Sequence, residues 1–99
     1  MDFVSIEQEV IEWGIKRGIY KESSPINQVD KLKEEFKELD SATQMYDLEE
    51  IKDGIGDMLV VLTHIANMYN FTLTQCYKHA YNQIKNRTGK MVNGIFVKD

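Results

Sequence analysis

The chain has 99 residues, one cysteine and a formal net charge of -4 at pH 7. That leaves room for one small domain, 1–99, and excludes a disulfide framework or a multi-cysteine zinc site. Hydrophobic residues at 42% and charged residues at 28% are in ordinary globular proportion, which argues against disorder. The acidic total argues against sequence-independent nucleic-acid binding, which needs many Lys and Arg contacts to phosphate.

Four helices and a short tail are predicted to account for nearly the whole chain. The first runs from about Asp2 or Ser5 to Arg17, with Phe3, Ile6, Val10 and Trp13 recurring at helical spacing. Ser5-Ile6-Glu7-Gln8 reads as a capping box and Gly18 as the stop. Ser23-Ser24-Pro25 opens the second helix, whose apolar face is Val29, Leu32, Phe36 and Leu39 and which ends near Asp40–Tyr46. Asp47-Leu48-Glu49-Glu50 opens the third, where Ile51, Ile55, Met58, Leu59, Leu62, Ile65 and Tyr69 form one face. Val60 and Val61 make its middle apolar almost all round, the mark of a central, buried helix. Asn70-Phe71 breaks the pattern, and Thr72-Leu73-Thr74-Gln75 caps a fourth helix that stops near Arg87–Gly89. Asn93-Gly94 between apolar pairs predicts a small β-hairpin, too small to stand alone and so bound to pack on the helices or on a second subunit.

The N-terminus is acidic where a signal peptide is basic, and the longest apolar run, Met58–Leu62, is far too short to span a bilayer. A cytoplasmic protein without a membrane partner is the expectation. Charge is unevenly spread: fifteen of the sixteen acidic residues precede Met58, against seven basic ones. From Met58 to Lys98 there is no acid, only Lys78, Lys85, Arg87, Lys90 and Lys98. Such an asymmetry fits either a cation site facing an anion site or complementary surfaces between subunits.

The acids themselves are patterned. On the second helix Glu35 and Glu38 lie roughly 60° apart beside the apolar stripe, with Glu34 farther toward solvent, and Gln28 and Lys31 fall on the same stripe. On the third helix Glu50, Asp53 and Asp57 share one narrow line, which His64 continues. Like charges so placed repel. If the two helices pack antiparallel the clusters meet, and a hard divalent cation such as Mg²⁺ or Mn²⁺ relieves the repulsion. Gly54 sits between the acid line and the core stripe, where a close helix or ligand would explain it. The plain alternative for every such acid is a solvated helix face.

With these residues in hand the chain resembles the MazG-like nucleoside triphosphate pyrophosphohydrolases, the small stand-alone phage and bacterial type, which are all-α. That family's first motif, E-E-x-x-E, stands complete as Glu34-Glu35-Phe36-Lys37-Glu38. In its second, E-x-x-D, Asp57 matches while Gly54 replaces the Glu. The resemblance extends to Trp13 and Arg17, to Gln28–Glu35 and to the closing Arg87–Lys98, nearly the whole chain. It implies a four-helix bundle with a hairpin tail that forms dimers or tetramers. It also implies Mg²⁺- or Mn²⁺-dependent cleavage of an NTP or dNTP to monophosphate and pyrophosphate, in nucleotide-pool control or house-cleaning. Glu35, Glu38, Asp57 and Asp53 are then the expected metal ligands, with Glu50 the second choice for the fourth position. Glu34 or Glu35 accepts the proton of the attacking water. Gln28 and Lys31 line the site, and Lys85 and Arg87, with Lys90, meet the outer phosphates. Trp13 either packs in the core or stacks on a base. Lys85 and Arg87 have the alternative of favouring a helix C-terminus, and His64, His79 and Cys76 read as structural. The rival to an enzyme is a non-catalytic nucleotide-binding or dimerisation module of the same fold, for which Gly54 is the best support.

Overall fold

Side-chain caps set where the helices begin. In the computed structural model, which describes residues 1–99, they are α1 (Phe3–Lys16), α2 (Ile19–Glu22), α3 (Pro25–Gln44), α4 (Leu48–Met68) and α5 (Leu73–Ile84). The strands β1 (Gly89–Val92) and β2 (Ile95–Lys98) follow. The Ser24 hydroxyl accepts the Asn27 N–H and Pro25 occupies the first turn of α3. Asp47 accepts the Glu50 N–H to start α4, at 3.2 Å. Thr72 and Gln75 close both bonds of a capping box at α5, at 3.0 and 2.9 Å. Asn93 and Gly94 both take positive φ and turn the hairpin, whose register pairs Gly89 with Lys98 and Val92 with Ile95.

Two local details differ from the sequence reading. Of the two starts offered for α1, Asp2 is the cap and the Ser5–Gln8 capping box does not form: the Asp2 carboxylate accepts the Ser5 N–H at 2.8 Å. There are five helices rather than four, because Gly18, at φ 82°, turns the chain out of α1 and lets Ile19–Glu22 close one further turn.

α3 and α4 pack along their length, and Gly54 explains the closeness. A Cβ at that position would stand 3.2–3.3 Å from Leu39, including its backbone Cα. α1 crosses α4 where Gly14 leaves room for the His64 ring. α5 rests on the C-terminal half of α4, and the buried carboxylate of Glu7 ties α1 to its start by accepting the Leu73 N–H at 2.7 Å. An acidic group there also meets the positive end of the α5 dipole.

The assembly of helices is open. Nine residues are buried, and the apolar ones with side chains are Ala42, Val61 and Ala66. The accessible surface is 7899 Å², where a folded monomer of this mass exposes about 5,800 Å². The radius of gyration is 15.7 Å, against about 13 Å for a closed domain of this length. Every residue from Thr74 to Asp99 is exposed. No helix is long and apolar enough to cross a membrane.

Candidate functional site

The intimate α3–α4 contact decides which acids meet. One carboxylate oxygen each from Glu35 and Glu38 on α3 and Asp57 on α4 lie within 4.8 Å of one another. Glu35 is buried, at 7% exposure, while Glu38 and Asp57 open to solvent. Lys31, one turn before Glu35, reaches its Oε1 at 3.4 Å and the exposed Glu34 at the same distance. Glu35 Oε2 is buried without any hydrogen-bond partner. A buried carboxylate oxygen left bare costs free energy unless something meets it.

The electrostatics agree. The Asp57 carboxyl is held above its ordinary range, first by loss of water around it and then by the charges of Glu35 and Asp53, with Lys31 opposing. Asp53 is thus close enough to be felt by Asp57, yet it stands outside the tight trio. Glu50 stands outside the trio and lines, together with Glu38, a trough beside Lys37 and Asp47. Hard oxygen donors from two rigid helices, one of them orphaned in the interior, match what Mg²⁺ or Mn²⁺ takes, with waters or phosphate oxygens completing the shell.

Asp57 also borders an open groove of about 600 Å³ whose α1 wall carries Glu9, Glu12, Trp13 and Arg17, with Val60 beside Asp57 on α4. Trp13, expected on the core stripe, is 44% exposed there. Its ring stacks on His64, centroids 6.1 Å apart at 19°, and the Arg17 guanidinium lies 4.9 Å from its centroid. His64 itself is 1% exposed, and its Nδ1 shares a 2.7 Å hydrogen bond with the Tyr20 hydroxyl. The sequence reading did not single out this α1 wall as a groove, although the spacing of Ile6, Val10, Trp13 and Arg17 places them on one face.

Burial holds the His64 imidazole below its ordinary value of 6.5. As pH falls through about 6.5 the unfolded chain binds a proton there and the folded chain does not, so stability declines from that point downward. The melting temperature of the metal-free protein is expected to drop between pH 7 and pH 5, and the slope to flatten in His64→Gln. An equal slope in both proteins would assign the effect elsewhere.

Of the remaining expected site residues, Gln28 is partly buried and donates from Nε2 to the Ser23 hydroxyl at 3.0 Å, which steadies the entry to α3. Lys85 and Arg87 follow α5, are exposed and form no ion pair. The structure does not bring them to the carboxylates. Leu73, Cys76 and Tyr77 of α5 line an apolar cavity with Leu59, Leu62, Ala66 and Tyr69, a face of α4 turned well away from Asp57 at 100° per residue.

Comparison with known proteins adds the following. A family model described as the MazG nucleotide pyrophosphohydrolase domain matches residues 23–92, which include α3, α4 and α5. α1, with Trp13 and Arg17, precedes the matched segment. The chain is also similar to an uncharacterized 18.2 kDa protein of the rep-hol intergenic region of Haemophilus phage HP1, 35% identical over 65 residues. That match covers 66% of this chain and 40% of the phage protein, so the chain spans about two-fifths of that relative's length. No solved structure matches it.

Proposed function

The chain belongs to the MazG nucleotide pyrophosphohydrolase family, and from that we propose that it hydrolyses a nucleoside triphosphate between the α- and β-phosphates, using a divalent cation at Glu35, Glu38 and Asp57. The observation that carries the proposal is the convergence of those three carboxylates around the unpartnered Glu35 Oε2.

A divalent ion at this place supplies positive charge to the phosphate oxygens and acidifies water. The chain's own residues do the rest. Glu35 is fixed by its burial in α3, and Lys31 holds one of its oxygens, so its orientation is set before substrate arrives. Glu34 or Glu35 takes the proton of the attacking water, and the exposure of Glu34 favours it for release to solvent. Water adds across the bridging P–O–P link, the bridge opens, and monophosphate and pyrophosphate leave with one water consumed. The groove lined by Trp13 receives the base, whose flat face suits an indole ring already held by His64. Asp53, whose charge is felt by Asp57, is the further carboxylate for a second ion and stands in for the acid that Gly54 lacks.

The test is an incubation of the protein with canonical and modified NTPs and dNTPs, with Mg²⁺ or Mn²⁺, and quantification of every phosphate product. Monophosphate and pyrophosphate in equal amounts are expected, with no reaction after chelation. Diphosphate and phosphate, or no product from any nucleotide, would overturn the reading. The second outcome, with nucleotide still raising the melting temperature, would leave a binding module of the same fold.

A further inference from the structure

The geometry points to Arg17 as a residue that exchanges partners when substrate binds. In the free protein its guanidinium caps the Trp13 ring; in the complex it leaves the ring to the base and pairs with a phosphate of the same nucleotide. The inference rests on the hydrolase reading for the identity of the ligand, and on the construction of the groove for the exchange.

Behind the indole the construction is rigid. The Trp13 ring stacks on the His64 imidazole, which is 1% exposed and shares a 2.7 Å hydrogen bond with the Tyr20 hydroxyl. Gly14 makes the room for this packing. A Cβ there would stand 2.6 Å from His64 Cε1 and 3.1 Å from the Tyr20 ring. Residues of α1, α2 and α4 thus back the indole from the interior, whether or not a ligand is present. The part of the ring left for a base is the part open to the groove.

In front of the indole the contact is loose. The Arg17 guanidinium lies over the ring, 4.9 Å from its centroid. The residue is exposed and forms no ion pair, although Glu9 and Glu12 line the same groove. Its backbone, by contrast, is held: Arg17 is the C-cap of α1, and its N–H donates to the Trp13 carbonyl at 3.2 Å. The stem is fixed and the head is free to swing. A cation on an exposed aromatic face is a weak contact, and a stacked base is a stronger one. Both are flat, and they compete for the same surface.

Phosphate is the partner that the displaced head finds. Arg17 and Asp57 line one groove, and Asp57 belongs to the carboxylate trio. A nucleotide with its base on Trp13 and its phosphates at the trio runs past Arg17. A guanidinium takes two phosphate oxygens at once, which the neighbouring Lys16 of the groove does not. Lys31 is already shared by Glu34 and Glu35. The exchange also sets what the site accepts. Inorganic triphosphate brings nothing to lift the guanidinium off the ring, and a nucleoside brings no phosphate to receive it. Only a molecule carrying both halves gains from both steps.

Arg17→Ala tests this through the emission of Trp13, the single tryptophan of the chain. The probes, with Mg²⁺ present, are α,β-methylene ATP and its GTP, CTP and UTP counterparts, the matching nucleosides, and inorganic tripolyphosphate. At least one analogue is expected to change the emission of the wild-type protein, and tripolyphosphate is not. In the variant the affinity for that analogue falls at least about 10-fold, the size typical of a hydrogen bond to a charged group. The affinity for its nucleoside rises about two- to fivefold, because no cap has to be lifted. Opposite signs are the signature, since a variant that had merely lost packing weakens both. Weakening of both, no change in either, or no response of Trp13 to any analogue would overturn the inference. So would a response to tripolyphosphate equal to that to the nucleotide. Turnover gives a second readout: KM rises in Arg17→Ala with kcat within about threefold, and Arg17→Lys recovers part of the loss. Hydrolysis by the wild-type protein with KM unchanged in the variant overturns the exchange and leaves the hydrolase reading intact. Opposite-signed binding without hydrolysis supports the exchange, and the hydrolase reading then falls alone.

Discussion

Glu38→Ala is expected to abolish nucleotide hydrolysis while leaving the helices folded. Glu38 is exposed on α3, and no hydrogen bond or ion pair within the chain depends on it. Removing it relieves repulsion from Glu35 and Asp57, so the metal-free protein should melt at the same temperature or slightly higher. Function is another matter. Loss of a group that only orients a metal ligand typically costs 10- to 100-fold, so loss of a ligand itself should cost at least about 100-fold. The measurement is steady-state turnover beside a thermal melt with and without Mg²⁺. The wild-type protein should gain thermal stability from the ion and the variant should not. Turnover within a factor of two of wild type would remove Glu38 from the site. Asp53→Asn should hurt more than Glu50→Gln, because the charge of Asp53 is felt by Asp57 and that of Glu50 is not.

Gly54→Glu, which restores the acid of the resembled motif, is expected to destabilise the protein strongly and not to improve activity. A Cβ at Gly54 meets Leu39 Cβ, Cα and Cδ1 at 3.2–3.3 Å, and a backbone Cα cannot swing aside as a side-chain tip can. Replacing a helical Gly gains up to about 1 kcal/mol in propensity. Overpacking costs about 1–3 kcal/mol, and a carboxylate forced between packed helices adds a desolvation cost of similar or greater size. The net loss should be roughly 2–4 kcal/mol, a fall of about 10–20 °C in melting temperature for a domain of this size. Gly54→Ala should fall between the two. A stable and more active Gly54→Glu would mean that α3 and α4 can separate and that the site wants a fourth carboxylate there.

These two substitutions separate what each level of description reveals. The acid stripes were legible, because 100° per residue fixes direction around one helix whatever surrounds it. Which acids meet was not. The helical line alone held Glu50, Asp53 and Asp57, and the resemblance picked out Asp57 with Asp53 or Glu50 for a fourth position; the α3–α4 packing brings Asp57, and neither of the other two, into the trio with Glu35 and Glu38. Gly54 was read both as a missing ligand and as a point of close approach; Leu39 accounts for it as the latter. Trp13 fell on the core stripe of its helix, yet its ring is 44% exposed on a groove wall. Glu7 gave no signal at all. Its partner, the Leu73 N–H, is 66 residues away.

The sequence by itself determined the helix starts at Ser24, Asp47 and Thr72, the Asn93-Gly94 turn and the facing of each acidic stripe. Each of these depends on hydrogen bonds or angles spanning at most four residues. Only the tertiary structure decided the rotation of α3 against α4, the orphaning of Glu35 Oε2 and the stacking of Trp13 on His64. Those follow from how side chains of different helices exclude one another when packed, a property of pairs of surfaces that no single helical period contains.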